Sequence, residues 1–461
     1  KDLHAETRYV PDIVVASNRG RWKEKIAIIG GGPAGLSAAY YLAEMGYYPT
    51  VFEKNELPGG MLTYGIPSYK LEKDVIMAEI DIMKEMGVTI KTGVEVGKDI
   101  TIQQLRDEGY KAFYLAIGCQ GGRLPNVPGE TLEGTTTAVE FLRKANQGGL
   151  KVKGKVVVVG GGNVAIDAAR VAKRSGGEVT MISLEERDFM PASKIEIAEA
   201  LEDSVTIING YGPKEVLGSK KVKGIAFKKC LSVFDEEKKF NPKYDENDIL
   251  TLDADLVIFA IGQAIVWGDM IKDTKVGTRP NGAPLADSVT FQTAEDDIFV
   301  GGDVYYGPKF AIDAIAAGHL AAESLHRYVQ GGHMTIGRNK KMFISLNKDD
   351  IKVESYDNSS RQIEGVDESV TNPWRDANLT LTEEQIKIET RRCLGCGVTV
   401  VDQNRCIGCG ICTTKCAFDA IHLHRDHPEA SKMVKAEEKF KYILPYSMKE
   451  AVKIRKKGKK D

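Results

Sequence analysis

The sequence predicts an α/β fold made of two Rossmann-like halves followed by a small cysteine-rich domain. Three observations predict it. Residues 25–53 run strand, glycine turn, helix, strand, and residues 155–183 repeat that order. Six of the eight cysteines crowd into 393–416.

The first half opens with Lys25 to Ile29, a short apolar run of β type. Gly30, Gly32 and Gly35 then form G-x-G-x-x-G, and Glu53 closes the second strand. The first glycine permits the tight turn, the second lets a pyrophosphate approach the backbone, and the third lets the helix pack on the strand. The helix N-terminus faces the phosphates, and an acid at the end of the next strand suits a ribose hydroxyl. The alternative is a tight turn in an ordinary α/β domain. The flanking strand, helix and acid together favour a dinucleotide.

Further along, 55–72 is loop-like, 73–87 is an amphipathic helix ending at Gly87, and 111–118 is a buried strand ending in glycine. Its Ala116 and Gly118 are small, as a backbone passing close to a cofactor requires. The second half carries Gly160, Gly162 and Ala165 after a four-valine strand, a helix to about Ser175, and a strand from Glu178 to Ser183. Residues 210–250 read as meander strands with charged turns. Residues 252–263 echo 111–118, with Ala260 and Gly262 in the matching places, which indicates duplicated architecture. At 297–328 come a strand, Gly301-Gly302-Asp303, a loop and a long helix. Asp303 beside Gly302 suits a polyol such as ribitol; helix capping is the plain alternative.

Composition narrows the classes. A net charge of −2 gives no general pull toward nucleic acid. No apolar run approaches about 20 residues, so no membrane span is expected. No secretory signal opens the chain, which starts at Lys1 rather than Met and so leaves upstream residues an open question. Two cysteines stand alone, Cys119 and Cys230; with the other six clustered, this is the usage of a cytoplasmic metal protein rather than a disulfide scaffold.

In the cluster, Cys406, Cys409, Cys412 and Cys416 are spaced C-x2-C-x2-C-x3-C, the run that holds a [4Fe–4S] cluster. The fourth cysteine of such a run commonly serves a different cluster, and Cys393 or Cys396 supplies the remaining ligand. A zinc ribbon on Cys393, Cys396, Cys406 and Cys409 is the rival, but it leaves Cys412 and Cys416 unexplained. The segment is similar to bacterial ferredoxins over about 35 residues. It departs in having Ala417 where proline is usual, and its six cysteines cannot fill two cubes. One cluster is expected; a second would need a ligand such as Asp402 or a partner's thiolate.

The motifs GGGPAGL, PGGMLTYGIPSYKL, VVVVGGGNVAID, FMPAS and FVGGD, in this order over residues 25–330, resemble the small subunit of glutamate synthase. They are also similar to the large subunit of the electron-bifurcating NADH-dependent ferredoxin:NADP oxidoreductase. The resemblance implies FAD in the first fold and NAD(P)H in the second. It implies that Gly30, Gly32, Pro33, Ala34, Gly35, Glu53 and Lys54 hold the FAD diphosphate and ribose. Gly60, Met61, Leu62, Gly65, Ile66 and Pro67 would line the flavin, and Gly302 and Asp303 the ribityl end. Gly162, Asn163, Val164 and Asp167 would sit at the nicotinamide dinucleotide.

Two departures matter. Such proteins usually carry an N-terminal iron–sulfur domain, and residues 1–24 contain no cysteine. NADP-specific members place paired arginines before the Met-Pro of the FMPAS loop, where this chain has Leu184 and Glu185. A carboxylate there accepts from a ribose 2′-hydroxyl and repels a 2′-phosphate, which favours NAD. Arg187, Lys173 and Arg174 keep NADP open.

The expected organisation is therefore an extension (1–24), an FAD domain (25–145 with 275–335), an NAD(P) domain (146–274), a linker (336–385), a ferredoxin-like iron–sulfur domain (386–430) and a basic tail (431–461). No general acid or base is expected, since hydride transfer is the cofactors' own chemistry. The expected function is an oxidoreductase subunit passing electrons between NAD(P)H, FAD and the cluster, in a hetero-oligomer with redox partner subunits or ferredoxin. Whether it bifurcates electrons stays open. The lysine-rich tail suits an acidic partner, with a solvated end as the alternative. A relay subunit with an unused nucleotide site is the rival from another class. A disulfide reductase would need a cysteine pair at the flavin, which isolated Cys119 and Cys230 do not offer.

Overall fold

The computed structural model describes residues 20–338, 357–393 and scattered positions between 438 and 449. In chain order, the first domain opens with β1 (Lys25–Ile29), α1 (Pro33–Met45), β2 (Thr50–Glu53), α2 (Met61–Tyr64), α3 (Lys73–Glu85), β3 (Thr89–Thr92), α4 (Ile102–Asp107) and β4 (Tyr110–Leu115). After β5 (Gly121–Gly122) come β6 (Thr135–Thr137), α5 (Ala138–Asn146), β7 (Lys155–Val159), α6 (Asn163–Arg174), β8 (Glu178–Ser183), α7 (Lys194–Glu202) and β9 (Thr206–Asn209). A meander follows, β10 (Tyr211–Gly218), β11 (Val222–Phe234) and β12 (Phe240–Asp253), then β13 (Leu256–Phe259) and β14 (Gln263–Ala264). The chain closes the first domain with β15 (Ile298–Val300), α8 (Asp303–Tyr306) and α9 (Ala311–Val329), and α10 (Glu383–Arg391) lies beyond.

Two five-stranded parallel sheets result, ordered β15-β4-β1-β2-β3 and β6-β13-β7-β8-β9. In each, the strand before a glycine turn is central, flanked by the strand that ends in an acid or serine and the one that Ala-Ile-Gly follows. Strand alternation builds the cores. Val156 and Val158 enter one apolar cluster with α5 and α6, while Val157 and Val159 enter another beneath the meander. Ile26 and Ile28 pack toward α1 and α9; Ala27 and Ile29 face the opposite side. Apolar residues at every position therefore mark strands covered on both faces.

Strand pairing and core membership differ from the expected domain limits. β6 pairs with β13, and Ala138, Phe141, Leu142 and Ala145 of α5 lie in the second core, so the second domain begins well before residue 146. Met270 and Val276 pack in the first core, so the return comes before 275. The crossing point is the antiparallel pair β5–β14. The expected linker also proves partly docked. Residues 360–387 belong to the same compact unit as both nucleotide domains. Trp374 packs on the second core, Arg174 donates to the Pro373 carbonyl at 2.9 Å, and Arg375 pairs with Glu72 at 3.0 Å. One aromatic residue in a polar stretch is enough to anchor it.

Candidate functional site

The first glycine turn joins β1 to α1. Gly30 has φ +108°, and a β-carbon there would sit 2.5 Å from the Ala116 carbonyl oxygen. Only glycine fits, because β1 and β4 converge on it. The second turn repeats the geometry: at Gly160 a β-carbon would meet the Ala260 oxygen at 2.4 Å. Ala116 and Ala260 thus mark the same place in the two halves. Gly118 and Gly162 are open, with nothing within 4 Å of a built β-carbon. Gly262 has only the Arg123 side chain nearby.

Three loops meet at the N-terminus of α1. A β-carbon at Gly60 would reach Gly32 Cα at 2.7 Å, one at Gly302 would reach Ala34 Cβ at 2.7 Å, and one at Gly35 would reach the Gly30 oxygen at 2.0 Å. α1 begins with Pro33 and has no side-chain cap. Its first-turn N–H groups, with the positive end of the helix dipole, are therefore available to an anion. This cradle, which side chains would fill, fits a dinucleotide pyrophosphate.

Glu53 is only 2% exposed. Gly31 N–H donates to its Oε2 at 2.7 Å, and Asn55 donates to Oε1 from N at 2.8 Å and Nδ2 at 2.6 Å. Beside it a cleft is lined by Gly30, Lys54, Glu95, Val96, Ile117 and Trp267, apolar walls that carry the carboxylates of Glu53 and Glu95, as suits a nucleoside. Asp303 opens α8. Burial pushes its carboxyl up to about 6. Lys309 N–H donates to its Oδ1 at 3.3 Å, which leaves accepting capacity for polyol hydroxyls.

The loop after Gly60 is held from behind. Lys73 Nζ donates to the carbonyls of Leu62 at 2.8 Å and Ile66 at 2.5 Å, and burial lowers this amine to about 8. Thr63 donates to Pro58 O at 2.7 Å. Met61, Leu62, Gly65 and Ile66 stay half-buried, whereas Pro67 is buried. Half-buried apolar side chains on a fixed backbone fit a flat ring.

At the second turn, Asn163 Oδ1 accepts from Ser193 N–H at 2.9 Å, and Val164 is exposed. Ser183 holds the strand position of Glu53, and Glu185 two residues on brings its carboxylate to Gly161 as Glu53 does to Gly31. Ser183 Oγ donates to Glu185 Oε2 at 2.8 Å, and a β-carbon on Gly161 would lie 2.6 Å from that oxygen. Arg187 donates to Asn209 Oδ1 at 3.1 Å and Ile207 O at 3.4 Å. Arg174 sits at the opposite end of α6 from the turn, paired with Asp203 at 2.9 Å and stacked 4.0 Å over Tyr69. Lys173 shares that end, so neither of these two basic residues meets a nucleotide at Gly162.

Asp167 differs from the expectation. Its carboxylate pairs with Lys70 at 2.5 Å instead of lying free at the dinucleotide turn, and burial raises it to about 6 despite that lysine. Tyr69 and Lys70 fall within the motif PGGMLTYGIPSYKL and Lys73 opens the helix that follows it, but the sequence assigns no role to any of the three. Of the cysteines expected as ligands, Cys393 is exposed with a free thiol, and Cys396, Cys406, Cys409, Cys412 and Cys416 lie outside the described residues. Cys119 and Cys230 are buried free thiols, and burial pushes Cys119 up to about 11, unlike a redox-active cysteine. Among the described residues no helix is long and apolar enough to cross a membrane.

The sequence profile of the pyridine nucleotide-disulphide oxidoreductases matches residues 24–318, and that of the 4Fe-4S binding domain matches 399–422. The chain is 39% identical over 316 residues to the NADP(+)-dependent formate dehydrogenase subunit beta of Moorella thermoacetica, covering 67% of this chain and 44% of that protein. It is 36% identical to the NAD-dependent dihydropyrimidine dehydrogenase subunit PreT of Escherichia coli O157:H7, covering 67% of this chain and 69% of that one. It is 34% identical to the glutamate synthase [NADPH] small chain of Halomonas elongata, covering 66% and 68%. The chain thus spans less than half of the first relative and about two thirds of the others. On this evidence of sequence, strand order and glycine geometry, the chain belongs to the pyridine nucleotide-disulphide oxidoreductase family, an FAD- and NAD(P)-dependent oxidoreductase group, and carries a 4Fe-4S binding domain.

Proposed function

We propose that this chain is the NAD(P)H oxidoreductase subunit of a larger complex, passing electrons between NAD(P)H, FAD and a 4Fe–4S cluster, to or from a partner protein or ferredoxin. One observation carries the reading. A single stretch touches the first dinucleotide turn, through Gly59 N–H donating to Gly31 O at 2.7 Å, and ends in the core of the second domain at Tyr69. Two dinucleotide sites tied by one loop suit exchange between their occupants.

When bound, FAD accepts a hydride from NAD(P)H and passes electrons singly to an iron–sulfur cluster. The chain's own residues bind and orient. The Gly30–Gly35 turn takes the diphosphate, Glu53 the ribose and Asp303 the ribityl hydroxyls. Met61, Leu62, Gly65 and Ile66, with Pro67 behind them, would line the flavin. Gly162, Asn163 and Val164 receive the second dinucleotide. Cys406, Cys409, Cys412 and Cys416, with Cys393 or Cys396, supply thiolates.

Glu185 supports NAD over NADP: its carboxylate beside Gly161 suits a ribose hydroxyl and opposes a phosphate. Arg187, which would have to answer a 2′-phosphate, is tied to β9. The relatives' names divide between the two dinucleotides. Two of them are named as subunits and one as a small chain, which supports a hetero-oligomer. A thiolate cluster suits the reducing cytoplasm. The test is anaerobic titration with NADH and NADPH. Flavin bleaching by NADH at the lower concentration supports the reading; bleaching by NADPH alone overturns the NAD preference.

A further inference from the structure

The segment that leaves the flavin-side loop ends inside the second dinucleotide domain. Tyr69 is 5% exposed and belongs to that domain's core, with the guanidinium groups of Arg170 and Arg174 over its ring at 4.9 and 4.0 Å. Its hydroxyl is buried without a hydrogen-bond partner, so the ring and not the polar tip makes the contact. Lys70 reaches Asp167 on α6 at 2.5 Å and also pairs with Glu196 on α7. Asn146 Nδ2 of α5 donates to Tyr64 O at 3.1 Å. Lys73 then turns back to the Leu62 and Ile66 carbonyls.

α6 is the helix whose N-terminus forms the second dinucleotide turn, and Asp167 lies just over one turn into it. A buried ion pair contributes little net stability, because desolvation opposes the attraction. The ion pair to Asp167, together with the hydrogen bond that Lys70 Nζ donates to Glu196, does fix geometry. Removing Lys70 would leave Asp167 and Glu196 as neighbouring carboxylates with no cation between them.

We propose that Tyr69 and Lys70 are positioning residues that lock α6, Lys70 through Asp167 in its N-terminal half and Tyr69 through Arg170 and Arg174 toward its far end, and with it the second dinucleotide turn, against the loop Met61–Pro67. The two dinucleotide domains then meet in one fixed orientation rather than swinging past each other. This rests on the functional reading above, and deepens it.

The test uses the full chain with Lys70→Met, Lys70→Arg and Tyr69→Phe. Lys70→Met is expected to keep its FAD and to be reduced by dithionite like the wild type. Its rate constant for flavin reduction at saturating NADH falls about 10- to 100-fold, the loss expected from a displacement of about 1 Å. The apparent Kd for NADH changes less than about threefold, because the turn itself is intact. Lys70→Arg recovers most of the rate, and Tyr69→Phe matches the wild type. A wild-type rate for Lys70→Met, or a loss confined to Kd, overturns the inference. If Lys70→Met does not fold, Asp167→Asn decides by the same two constants. If neither NADH nor NADPH reduces the wild-type flavin, the functional reading fails by itself. Hydrogen exchange then reads the tie: Lys70→Met must loosen 163–166 and 61–67 together, and unchanged protection in both overturns the inference.

Discussion

Glu53 and Glu185 show how an acid beside each glycine turn does different work in the two halves of the chain. Glu53 is held by three donors from the chain itself, so it both shapes the turn and waits for a ribose. Replacing it with Ala strands buried N–H groups, and should lower stability by about 1–3 kcal/mol and release FAD on gel filtration. Glu185 has Ser183 as its side-chain donor and is the specificity position. Glu185→Ala should reduce the ratio of kcat/KM for NADH over NADPH about tenfold, roughly one charged hydrogen bond; an unchanged ratio would place the discrimination elsewhere. Lys73 gives a pH signature. Burial lowers it from 10.5 to about 8 in the folded chain, so between those values the unfolded chain holds the extra proton. Stability from this group therefore rises with pH across that window, and the cost of the buried charge is fully present below about 8. The difference in Tm between wild type and Lys73→Met should move in favour of the wild type from pH 8 to pH 10. A constant difference would contradict the burial argument.

Elements were the most legible scale in the sequence. Lys25–Ile29 and Lys155–Val159 announced covered parallel strands because apolar residues fill every position, and the glycines after them announced a turn that no side chain can enter. The structure returns those elements with matching limits, and the Ala-Ile-Gly echo becomes two alanine carbonyls pressed against Gly30 and Gly160. Gly30→Ala must move a β-carbon off a backbone oxygen at positive φ, and should cost more than about 2 kcal/mol, read by chemical denaturation. What sequence could not give was reach. Tyr69 and Lys70 sit in a stretch with no periodicity, and their partners on α6 and α7 lie about a hundred residues away or more. The resemblance implies Asp167 at the second dinucleotide; its rotational position on α6 instead presents it to Lys70. Trp374 was hidden for the same reason, one apolar side chain in a polar run.

For the molecule as a whole, the duplicated sheets make two nucleotide sites, and the cysteine spacing adds a one-electron outlet beyond them. The domain limits depart from the expected ones where a strand of only three residues, Thr135–Thr137, carries the chain into the second sheet. A strand so short leaves no pattern, whereas its pairing with β13 is plain in space. The glycine turns themselves are legible because close approach to a backbone demands glycine, a chemical constraint that survives without context. The two parts of the chain should also separate experimentally. Cys409→Ser should remove the broad iron–sulfur absorbance and its low-temperature EPR signal, while NADH still bleaches the flavin. Loss of both together would mean that the cluster supports the nucleotide fold itself.

The central claim is electron passage from NAD(P)H through flavin to cluster within one chain, and anaerobic stopped-flow spectroscopy of the purified protein addresses it directly. With NADH in excess, flavin absorbance should bleach first and iron–sulfur absorbance should follow. A flavin that bleaches while a fully loaded cluster stays oxidised with no partner present, or a flavin that neither dinucleotide bleaches, would contradict it.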